Sequence, residues 1–289
     1  MSLTVATRPS LLALAQAKLV TTALGLGPES LLEVKEQATS GDKERFVRGV
    51  EQAVLAGRAE LGVHSAKDLP GEMTAGLTIA GVPKRADPRD VWIGPGSSVG
   101  EIPVGIRVGT SSLRRQAQLG ALRPDLVMVP VRGNVDTRLA LLKSGEVDAL
   151  VLAKAGLDRL GRGEEASFTF DPAEMTPAAG QGALVVQGRV NGPGLELAAG
   201  ISDADSQTAL LAERATVVKV GAGCDSPVGF HATVAGDRLE ITAFVGRADG
   251  SAWLRDRIEA DSSRPVESGR ELAGRLIASG AAELLGGTV

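Results

Sequence analysis

Residues 105–143 read GIRVGTSSLRRQAQLGALRPDLVMVPVRGNVDTRLALLK, and this stretch decides the fold class. It contains two short runs rich in aliphatic residues, at 105–108 and 126–131, and each leads through a loop into a segment with helical periodicity. A third run at 148–153 continues the pattern. Strands that alternate with helices in this way predict an α/β protein with parallel sheets covered by helices on both faces.

The alternation extends towards the N-terminus, but the last third of the chain has a different texture. The sequence predicts strands over 3–6 and 59–65, a helix that starts near Pro9, and a helix over 45–56. From about Ser206, a helix leads into a glycine-rich loop, three strands separated by turn signals, and a last helix. The predicted elements of this α+β part are a helix over 206–218, strands over 229–234, 239–245 and 253–259, and a helix over 265–285.

The composition supports a large apolar core and excludes several classes of protein. Of 289 residues, 43% are hydrophobic and 23% are charged, which excludes a globally disordered chain. Five Phe, two Trp and no Tyr argue against a protein that stacks single-stranded nucleic acid on aromatic rings. One cysteine excludes an intramolecular disulfide framework and a multi-cysteine zinc site, and two histidines disfavour a histidine-based metal site.

Charge is unevenly distributed along the chain. The formal net charge is 31 − 35 = −4, so no general surface for polyanions is expected. Residues 104–140 nevertheless hold six arginines against Asp125 and Asp136, a local charge of +4, which leaves −4 − 4 = −8 for the remainder. An acidic chain with one arginine-dense stretch favours the binding of a small anion.

No apolar run approaches the roughly 20 residues that span a bilayer. The apolar stretch 11–17 near the N-terminus is short, Pro9 precedes it, and its apolar residues fit one face of a helix. These features disfavour a signal peptide. We therefore expect a cytoplasmic protein that does not enter a membrane.

The segment 108–115, VGTSSLRR, places hydroxyl groups and free backbone N–H groups at the start of a predicted helix. Helix N-termini bind anions, and arginine binds carboxylate or phosphate through two parallel hydrogen bonds. The alternative is a capping motif followed by a solvated basic turn, although Arg114 and Arg115 in a first turn oppose the helix dipole. Arg132 follows the next strand, where parallel sheets bind ligands, whereas Arg138 and Arg159 lie inside the helices beyond.

Two further positions are candidates for chemistry. Lys67 and Asp68 end a predicted strand, so Asp68 is the best candidate for a catalytic carboxylate; the alternative is an ordinary Lys-Asp turn pair. Cys224 lies in the loop 221–227, GAGCDSP. A lone cysteine is most often a small buried hydrophobic residue, but a glycine loop also presents a thiol well, and the residues alone do not separate the two.

Taken together, a series of motifs resembles the hydroxymethylbilane synthase family, also called porphobilinogen deaminases, of tetrapyrrole biosynthesis. The motifs are collinear with that family from residue 4 to about residue 230. They are TRPSLLAL at 7–14, FV at 46–47, VHSAKDLP at 63–70, DPRD at 87–90, VGTSSLRRQ at 108–116, RGNV at 132–135, AGLDRL at 155–160, GQGA at 180–183, AERA at 212–215 and the loop at Cys224.

The resemblance implies a transferase with two doubly wound domains like those of periplasmic binding proteins and a small α+β C-terminal domain. The expected domains are 1–84 with 182–200, 88–177, and 203–289, and the first two face an active-site cleft and are joined by two hinge crossings. In the family, a cysteine of the third domain holds a dipyrromethane cofactor through a thioether. Four porphobilinogen molecules are added head to tail with loss of ammonia, and hydrolysis releases the linear tetrapyrrole hydroxymethylbilane.

Position within these motifs implies a role for each candidate residue. Asp68 is implied as the catalytic carboxylate and Cys224 as the covalent attachment site. The residues implied to bind the cofactor are Lys67, Ser112, Arg114, Arg115, Arg132 and Arg138. Those implied to bind substrate are Arg8, Ser10, Arg132, Arg138, Arg159 and Gln181. The implied partner is porphobilinogen, without metal, nucleic acid or membrane, and a monomer is expected.

The sequence departs from the family pattern around the cysteine. The family usually has Gln-Val-Pro-Ile after it, whereas this chain has DSPV at 225–228, and the usual paired glycines before it become GAG at 221–223. Two rival functions stay open: a non-enzymatic two-lobed protein that binds small anions, and an inactive homologue used for interaction. Missing export and helix-turn-helix signals disfavour the first, and the presence of both Asp68 and Cys224 disfavours the second.

Overall fold

The computed structural model describes residues 3–34, 45–223 and 225–286. The chain divides into two compact units, each built from two separate segments. Unit 1 consists of Met1–Ala86 and Gly182–Gln207, and unit 2 consists of Asp87–Gln181 and Thr208–Val289. The predicted division into three domains is finer than this one and stays a prediction.

Helices and strands are numbered along the whole chain. The strands are β1 Val5–Thr7, β2 Leu31–Glu33, β3 Leu61–Ser65, β4 Leu77–Gly81, β5 Asp90–Ile93, β6 Arg107–Gly109, β7 Val127–Val129, β8 Ala149–Ala153, β9 Phe168–Thr169, β10 Leu184–Arg189, β11 Val228–Ala235, β12 Arg238–Gly246 and β13 Trp253–Asp261. The helices are α1 Leu11–Ala23, α2 Arg45–Leu55, α3 Leu113–Leu122, α4 Val135–Lys143, α5 Lys154–Arg159, α6 Leu195–Ala199, α7 Ala204–Val220, α8 Pro265–Ala278 and α9 Ala281–Leu284.

Unit 1 is built on a five-stranded sheet with strand order β2-β1-β3-β10-β4. Successive side chains of a strand point to opposite faces, and both faces of this sheet are covered. Val5 packs in one apolar cluster with Val20 of α1, and Ala6 packs in another with Val50 and Val54 of α2. Short apolar strands therefore form here because helices bury them from both sides.

Unit 2 contains a second five-stranded sheet, with strand order β7-β6-β8-β5-β9. Its two faces are also buried: Trp92 belongs to the cluster on the α3 side with Leu119, whereas Val91 belongs to the cluster on the α4 side with Leu139. The two sheets share one pattern. In the strand orders given, the first three strands are parallel to one another, the fourth runs antiparallel to them, and the fifth runs antiparallel to the fourth. This repeated pattern gives two doubly wound sheets of the periplasmic-binding-protein type, as the resemblance implies.

One strand in each sheet differs from the predicted parallel arrangement. β10 runs antiparallel to β3 and β4, and β5 runs antiparallel to β8 and β9. Each of these strands is the first one formed after the chain has passed from one unit to the other. Neither follows a helix that would return the chain in parallel, so the βα alternation carries no information about their direction.

The last third of unit 2 is the predicted α+β part. Strands β11, β12 and β13 form an antiparallel sheet, and α7, α8 and α9 bury one of its faces through Ala212, Leu272 and Ala281. The prediction of one helix over 265–285 is wrong, because the helix ends at Ala278 and a short helix restarts at Ala281. Gly280, with φ 96°, takes the left-handed conformation that separates the two.

The α/β class with a small α+β C-terminal part is thus confirmed. No helix in the described parts of the chain combines the length and the apolar character needed to cross a bilayer.

The contact between β4 and α6 provides a test of unit 1. A Cβ at Gly81 would collide with the carbonyl oxygen of Ala198 and lie 2.8 Å from its carbon. We expect Gly81→Ala to destabilise unit 1 by about 1–3 kcal/mol, because backbone cannot move aside as a side chain can. Thermal unfolding should show a midpoint lowered by about 2–4 °C per kcal/mol.

Gly274→Ala in α8 is the matched control for this substitution. Nothing lies within 4 Å of its Cβ position, and alanine is the better helix former. The control should be neutral or stabilising, and an unchanged midpoint for Gly81→Ala would contradict the close approach.

Candidate active site

Three of the predicted site residues of unit 1 follow the ends of two neighbouring strands. Arg8 comes directly after β1, and Lys67 and Asp68 lie in a 3₁₀ turn, Ala66–Asp68, directly after β3. The two strands are parallel neighbours, so these residues lie at the same edge of the sheet. The turn is held by a hydrogen bond from the N–H of Ala66 to the carbonyl oxygen of Ala183, 3.0 Å long.

Ser10 lies at the same edge and caps α1. Its Oγ accepts a hydrogen bond from the N–H of Ala13 at 3.3 Å, as an N-cap residue does. Its predicted role in substrate binding is therefore additional to a structural role that the sequence Pro9-Ser10 already indicates.

His64, at the end of β3, is packed in the interior of unit 1, where 4% of it is exposed. Its Nε2 lies 3.1 Å from Oε1 of Gln187, whose Nε2 donates to Glu51 at 2.9 Å. The pKa of His64 is lowered to about 4, mainly because the ring is buried; Glu51 and Gln187 oppose this lowering, and the charge of Arg8 adds to it. The ring is therefore neutral at physiological pH, and this chain of hydrogen bonds joins α2 and β10 to the strand that leads to Asp68.

The predicted site residues of unit 2 follow three neighbouring parallel strands. Ser112 follows β6 and occupies the N-cap position of α3 without a side-chain capping hydrogen bond, Arg132 follows β7, and Arg159 ends α5 after β8. Ser111 fixes the first of these loops, because its Oγ donates to the carbonyl oxygen of Val131 at 2.8 Å. The structure therefore brings the ends of these strands together at one edge of the second sheet.

The centre of unit 2 is a buried ion cluster around Asp90, the first residue of β5. Nη1 of Arg114 lies 2.7 Å from Oδ2 of Asp90, and Nη2 of Arg115 lies 2.8 Å from Oδ1. Arg115 also donates from Nη1 to the carbonyl oxygen of Val151 at 2.9 Å. All three charged side chains are almost completely withdrawn from solvent, so the predicted pair of arginines forms part of the interior and not a solvated turn.

Gln181 completes the cluster. Its Nε2 donates to the carbonyl oxygen of Pro88 at 2.7 Å and to Oδ1 of Asp90 at 3.1 Å. Burial would raise the pKa of Asp90, but the charges and hydrogen bonds of Arg114 and Arg115, with Gln181, hold that pKa well below its usual range. Asp90 is therefore ionised, and one negative charge faces two positive ones.

Arg132, Arg138 and Arg159 differ in exposure. Arg132 is exposed, whereas Arg138 and Arg159 are half-buried. Burial lowers the pKa of Arg138 to about 10, aided by the charge of Arg115, and burial lowers that of Arg159 to about 10 against the opposing charge of Asp158. Nε of Arg138 donates to the carbonyl oxygen of Gly133 at 3.0 Å, and no described carboxylate forms a salt bridge with it. Arg138 thus adds unneutralised positive charge beside the Asp90 cluster.

Cys224 lies outside the described residues, and the structure says nothing of it. The residues on either side do explain one departure from the family pattern. Oγ of Ser226 accepts a hydrogen bond from the N–H of Gly223 at 2.9 Å, and the N–H of Ser226 donates to the carbonyl oxygen of Gly223 at 3.1 Å. The unusual serine therefore closes the loop across the cysteine position.

Sequence reasoning gave no role to two of the residues that organise this site. Two signals were available for Asp90: it is a carboxylate in an otherwise apolar strand, DVWI, and it ends the motif DPRD at 87–90. Thr176 has no such signal: its carbonyl oxygen accepts from Nη1 of Arg114 at 2.8 Å and from Nε2 of Gln118 at 3.0 Å, through the backbone alone.

Fold and site together define the class of doubly wound α/β proteins with arginines gathered at the strand ends. Residues 3–196 match the family model described as porphobilinogen deaminase, dipyromethane cofactor binding domain. Residues 207–278 match the model described as porphobilinogen deaminase, C-terminal domain. The chain belongs to the porphobilinogen deaminase family.

Curated relatives support this assignment along the whole chain. Proteins named porphobilinogen deaminase from Roseiflexus castenholzii and Deinococcus radiodurans are 42% and 40% identical to it. The matches cover 99% of both chains in the first case and 98% of both in the second. A protein of the same name from Thermus thermophilus is 43% identical, with 97% of each chain covered.

Solved structures give only a distant likeness. The second substrate binding domain of a putative amino acid ABC transporter from Streptococcus pneumoniae has a TM-score of 0.40 and 13% identity, over 68% of this chain and 89% of that one. A TRAP periplasmic solute binding protein from Desulfovibrio salexigens has a TM-score of 0.39 and 14% identity, over 66% of this chain and 67% of that one. At these TM-scores the likeness says nothing about the function of the chain.

Replacing Asp90 tests the ion cluster. Asp90→Asn leaves two buried arginines without a carboxylate, and such a loss costs about 3–5 kcal/mol in unfolding free energy. Folding depresses the pKa of Asp90. The contribution of Asp90 to the free energy of unfolding is therefore fully present above the unfolded pKa near 4, and it is lost as the pH falls through the folded pKa. In urea unfolding, the wild type should be more stable than the variant at pH 7, and the difference should narrow as the pH falls below about 4.

Asp158→Asn is the control, since it removes a more exposed carboxylate that pairs with Lys154 at 2.8 Å. Such pairs contribute about 0–1 kcal/mol. If both variants were equally stable at pH 7, the central place of Asp90 would be wrong.

Proposed function

We propose that this protein is a hydroxymethylbilane synthase. It joins four porphobilinogen molecules head to tail with release of ammonia, and hydrolysis then releases the linear tetrapyrrole hydroxymethylbilane. Membership of the porphobilinogen deaminase family over both parts of the chain supports this reaction. The non-enzymatic anion-binding alternative is not favoured, since the full-length relatives carry the enzyme's name.

The observation that carries the proposal is the surplus of positive charge at the strand ends of unit 2. Asp90 is one carboxylate against Arg114 and Arg115, and Arg138 has no salt bridge with a described carboxylate. Each pyrrole of the substrate has an acetate and a propionate side chain. Guanidinium groups bind carboxylates through paired, charge-assisted hydrogen bonds, so the surplus fits a chain of pyrroles.

The same donor set fits the dipyrromethane cofactor, which has two pyrroles and therefore four carboxylates. Cys224 would hold it through a thioether. The residues that would bind its side chains are Lys67, Ser112, Arg114, Arg115, Arg132 and Arg138. When bound, the cofactor supplies the tethered pyrrole end to which the first porphobilinogen is added.

The incoming substrate needs its own cations. We assign its carboxylates to Arg8, Ser10, Arg132, Arg138, Arg159 and Gln181. Arg8 lies near His64, which burial keeps neutral, so no second positive charge on the imidazole repels the guanidinium. Burial favours pairing with an anion at Arg138 and Arg159, because a buried guanidinium gains more from a carboxylate than an exposed one does.

Asp68 is the catalytic carboxylate in this proposal. Each addition breaks the carbon–nitrogen bond of the substrate's aminomethyl group, and ammonia leaves after taking up a proton. The substrate is left with a positive charge that a carboxylate stabilises, and the same group can assist the proton transfer. The 3₁₀ turn after β3 holds Asp68 on a rigid strand end, as such a role requires.

We further propose the three domains predicted above, 1–84 with 182–200, 88–177, and 203–289, as the functional parts of the enzyme. A monomeric, cytoplasmic protein that binds neither nucleic acid nor membrane belongs to the same proposal. Size-exclusion chromatography of the purified protein tests the monomer.

Intact-mass spectrometry tests the cofactor. The purified wild type should exceed its sequence mass by one dipyrromethane unit, and Cys224→Ala should have the sequence mass alone. Ser251→Ala, in an exposed turn between β12 and β13, is the control and should keep the added mass. An active wild type without added mass would refute the tether.

Substitution of Asp68 tests the carboxylate. We expect Asp68→Ala to keep the added mass of the cofactor but to lower kcat with porphobilinogen by about 10²–10⁴-fold, the usual contribution of a positioned acid–base group. Asp237→Ala, at an exposed turn between β11 and β12, should keep wild-type kcat. Turnover of Asp68→Ala near that of the control would show that another group does this chemistry.

A further inference from the structure

Arg255, in strand β13, connects the C-terminal sheet by hydrogen bonds to the segment 173–176, which also belongs to unit 2. Its guanidinium donates hydrogen bonds to the carbonyl oxygens of Ala173 and, at 2.6 Å, of Glu174. It also reaches Oγ1 of Thr176 at 3.3 Å and Oε1 of Gln118 at 3.4 Å. One side chain of the C-terminal sheet therefore contacts four residues of the part of unit 2 that contains the ion cluster.

Two aromatic rings hold the guanidinium in place. It lies 5.1 Å from the ring centroid of Phe244 and 5.7 Å from that of Trp253, and the two rings stack on each other. No described carboxylate forms a salt bridge with Arg255. Its charge is thus directed at carbonyl oxygens and aromatic faces, an arrangement that fixes orientation as well as attraction.

The segment that Arg255 holds also positions an arginine of the ion cluster. The carbonyl oxygen of Thr176 accepts from Arg114 and from Gln118, and the N–H of Thr176 donates to Oε1 of Gln118 at 2.7 Å. Thr176 and Gln118 are both completely buried. A shift of this segment would therefore move the acceptor of Arg114.

The same segment lies against the strand that follows the cysteine loop. Gly229 is the second residue of β11, and a Cβ there would lie 2.5 Å from the carbonyl oxygen of Thr176. The loop 221–227 leads directly into this strand. Thr176 is thus in contact with both Arg255 and Gly229. The acceptor of Arg114 therefore lies beside the strand that follows the loop.

We propose that Arg255 is a positioning residue for the synthase reaction: it fixes the position of Thr176, the acceptor of Arg114 in the Asp90 cluster, against β11, the strand that follows the cysteine loop. The inference rests on the proposed function, because it gives the loop the tether and the cluster the carboxylates of the pyrroles. A misplacement of about 1 Å can cost ~100-fold in rate. The position of Thr176 therefore matters for turnover and not only for folding.

The test uses Arg255→Met, which keeps the aliphatic stem and removes the hydrogen bonds. We expect the variant to fold and to keep the covalent mass of the cofactor, while kcat per loaded molecule falls by about 10- to 100-fold with a smaller change in KM. Intact-mass spectra at limiting porphobilinogen should show a shift towards species with few added units. Arg255→Lys, which keeps the charge and can reach one carbonyl, should recover part of kcat.

Arg238→Met is the matched control, since Arg238 lies on the same face of the sheet but pairs with Glu259 and Glu240 at the exposed end. It should keep wild-type kcat. A kcat for Arg255→Met within twofold of wild type, whatever its melting temperature, would overturn the proposal. If the Met variant did not fold, the same twofold limit applied to Arg255→Gln, which is uncharged and too short to reach both carbonyl oxygens, would decide. A wild type without added mass or turnover would instead refute the proposed function itself.

Discussion

The ion cluster of Asp90 with Arg114 and Arg115 is the constraint on which the rest of unit 2 depends. Removing one carboxylate and two guanidinium groups from water is expensive, and only close pairing with further hydrogen bonds offsets it. The cluster meets that condition with partners from separate parts of the chain: β5, α3, the carbonyl oxygen of Val151 in β8, and Gln181 at the end of the segment that leads back to unit 1. Because no pair of these elements completes the cluster alone, it specifies how they assemble.

The cluster contains one negative charge against two positive charges. Apolar residues in the same volume would serve stability as well or better, so a buried 2:1 ratio of arginine to aspartate calls for a functional explanation. Arg138 adds to this imbalance. Burial and the charge of Arg115 lower its pKa to about 10, so the positive charge of Arg138 is disfavoured in the folded protein. An anionic ligand reverses that penalty. Under the proposed function, the stability given up in the free protein is recovered as affinity for the carboxylates of the pyrroles.

Local signals in the sequence suffice for most of the fold. The helical segment predicted after the run 126–131 forms as α4, Val135–Lys143, and Asn134 caps it by accepting a hydrogen bond from the N–H of Thr137. Prediction fails for two different reasons, one distant and one local. The direction of β10 depends on its pairing with β3 and β4, more than a hundred residues earlier in the chain, and the break before α9 depends on Gly280, which a helical pattern tolerates as readily as Gly274 in α8.

The site shows the same division between local and distant information. Two arginines in the first turn of α3 work against its dipole, and from sequence this oddity could mean an anion site or a solvated turn. The structure gives a third arrangement, in which Asp90 supplies the negative charge that the turn lacks, from a strand 24 and 25 residues before the two arginines. The motifs DPRD and VGTSSLRRQ contain the partners, but nothing in the sequence shows that they pair, and the backbone acceptor at Thr176 has no side-chain signal at all. What the sequence does contain is the imbalance itself, six arginines against two aspartates over 104–140, and Asp90, outside that window, reduces the imbalance without removing it.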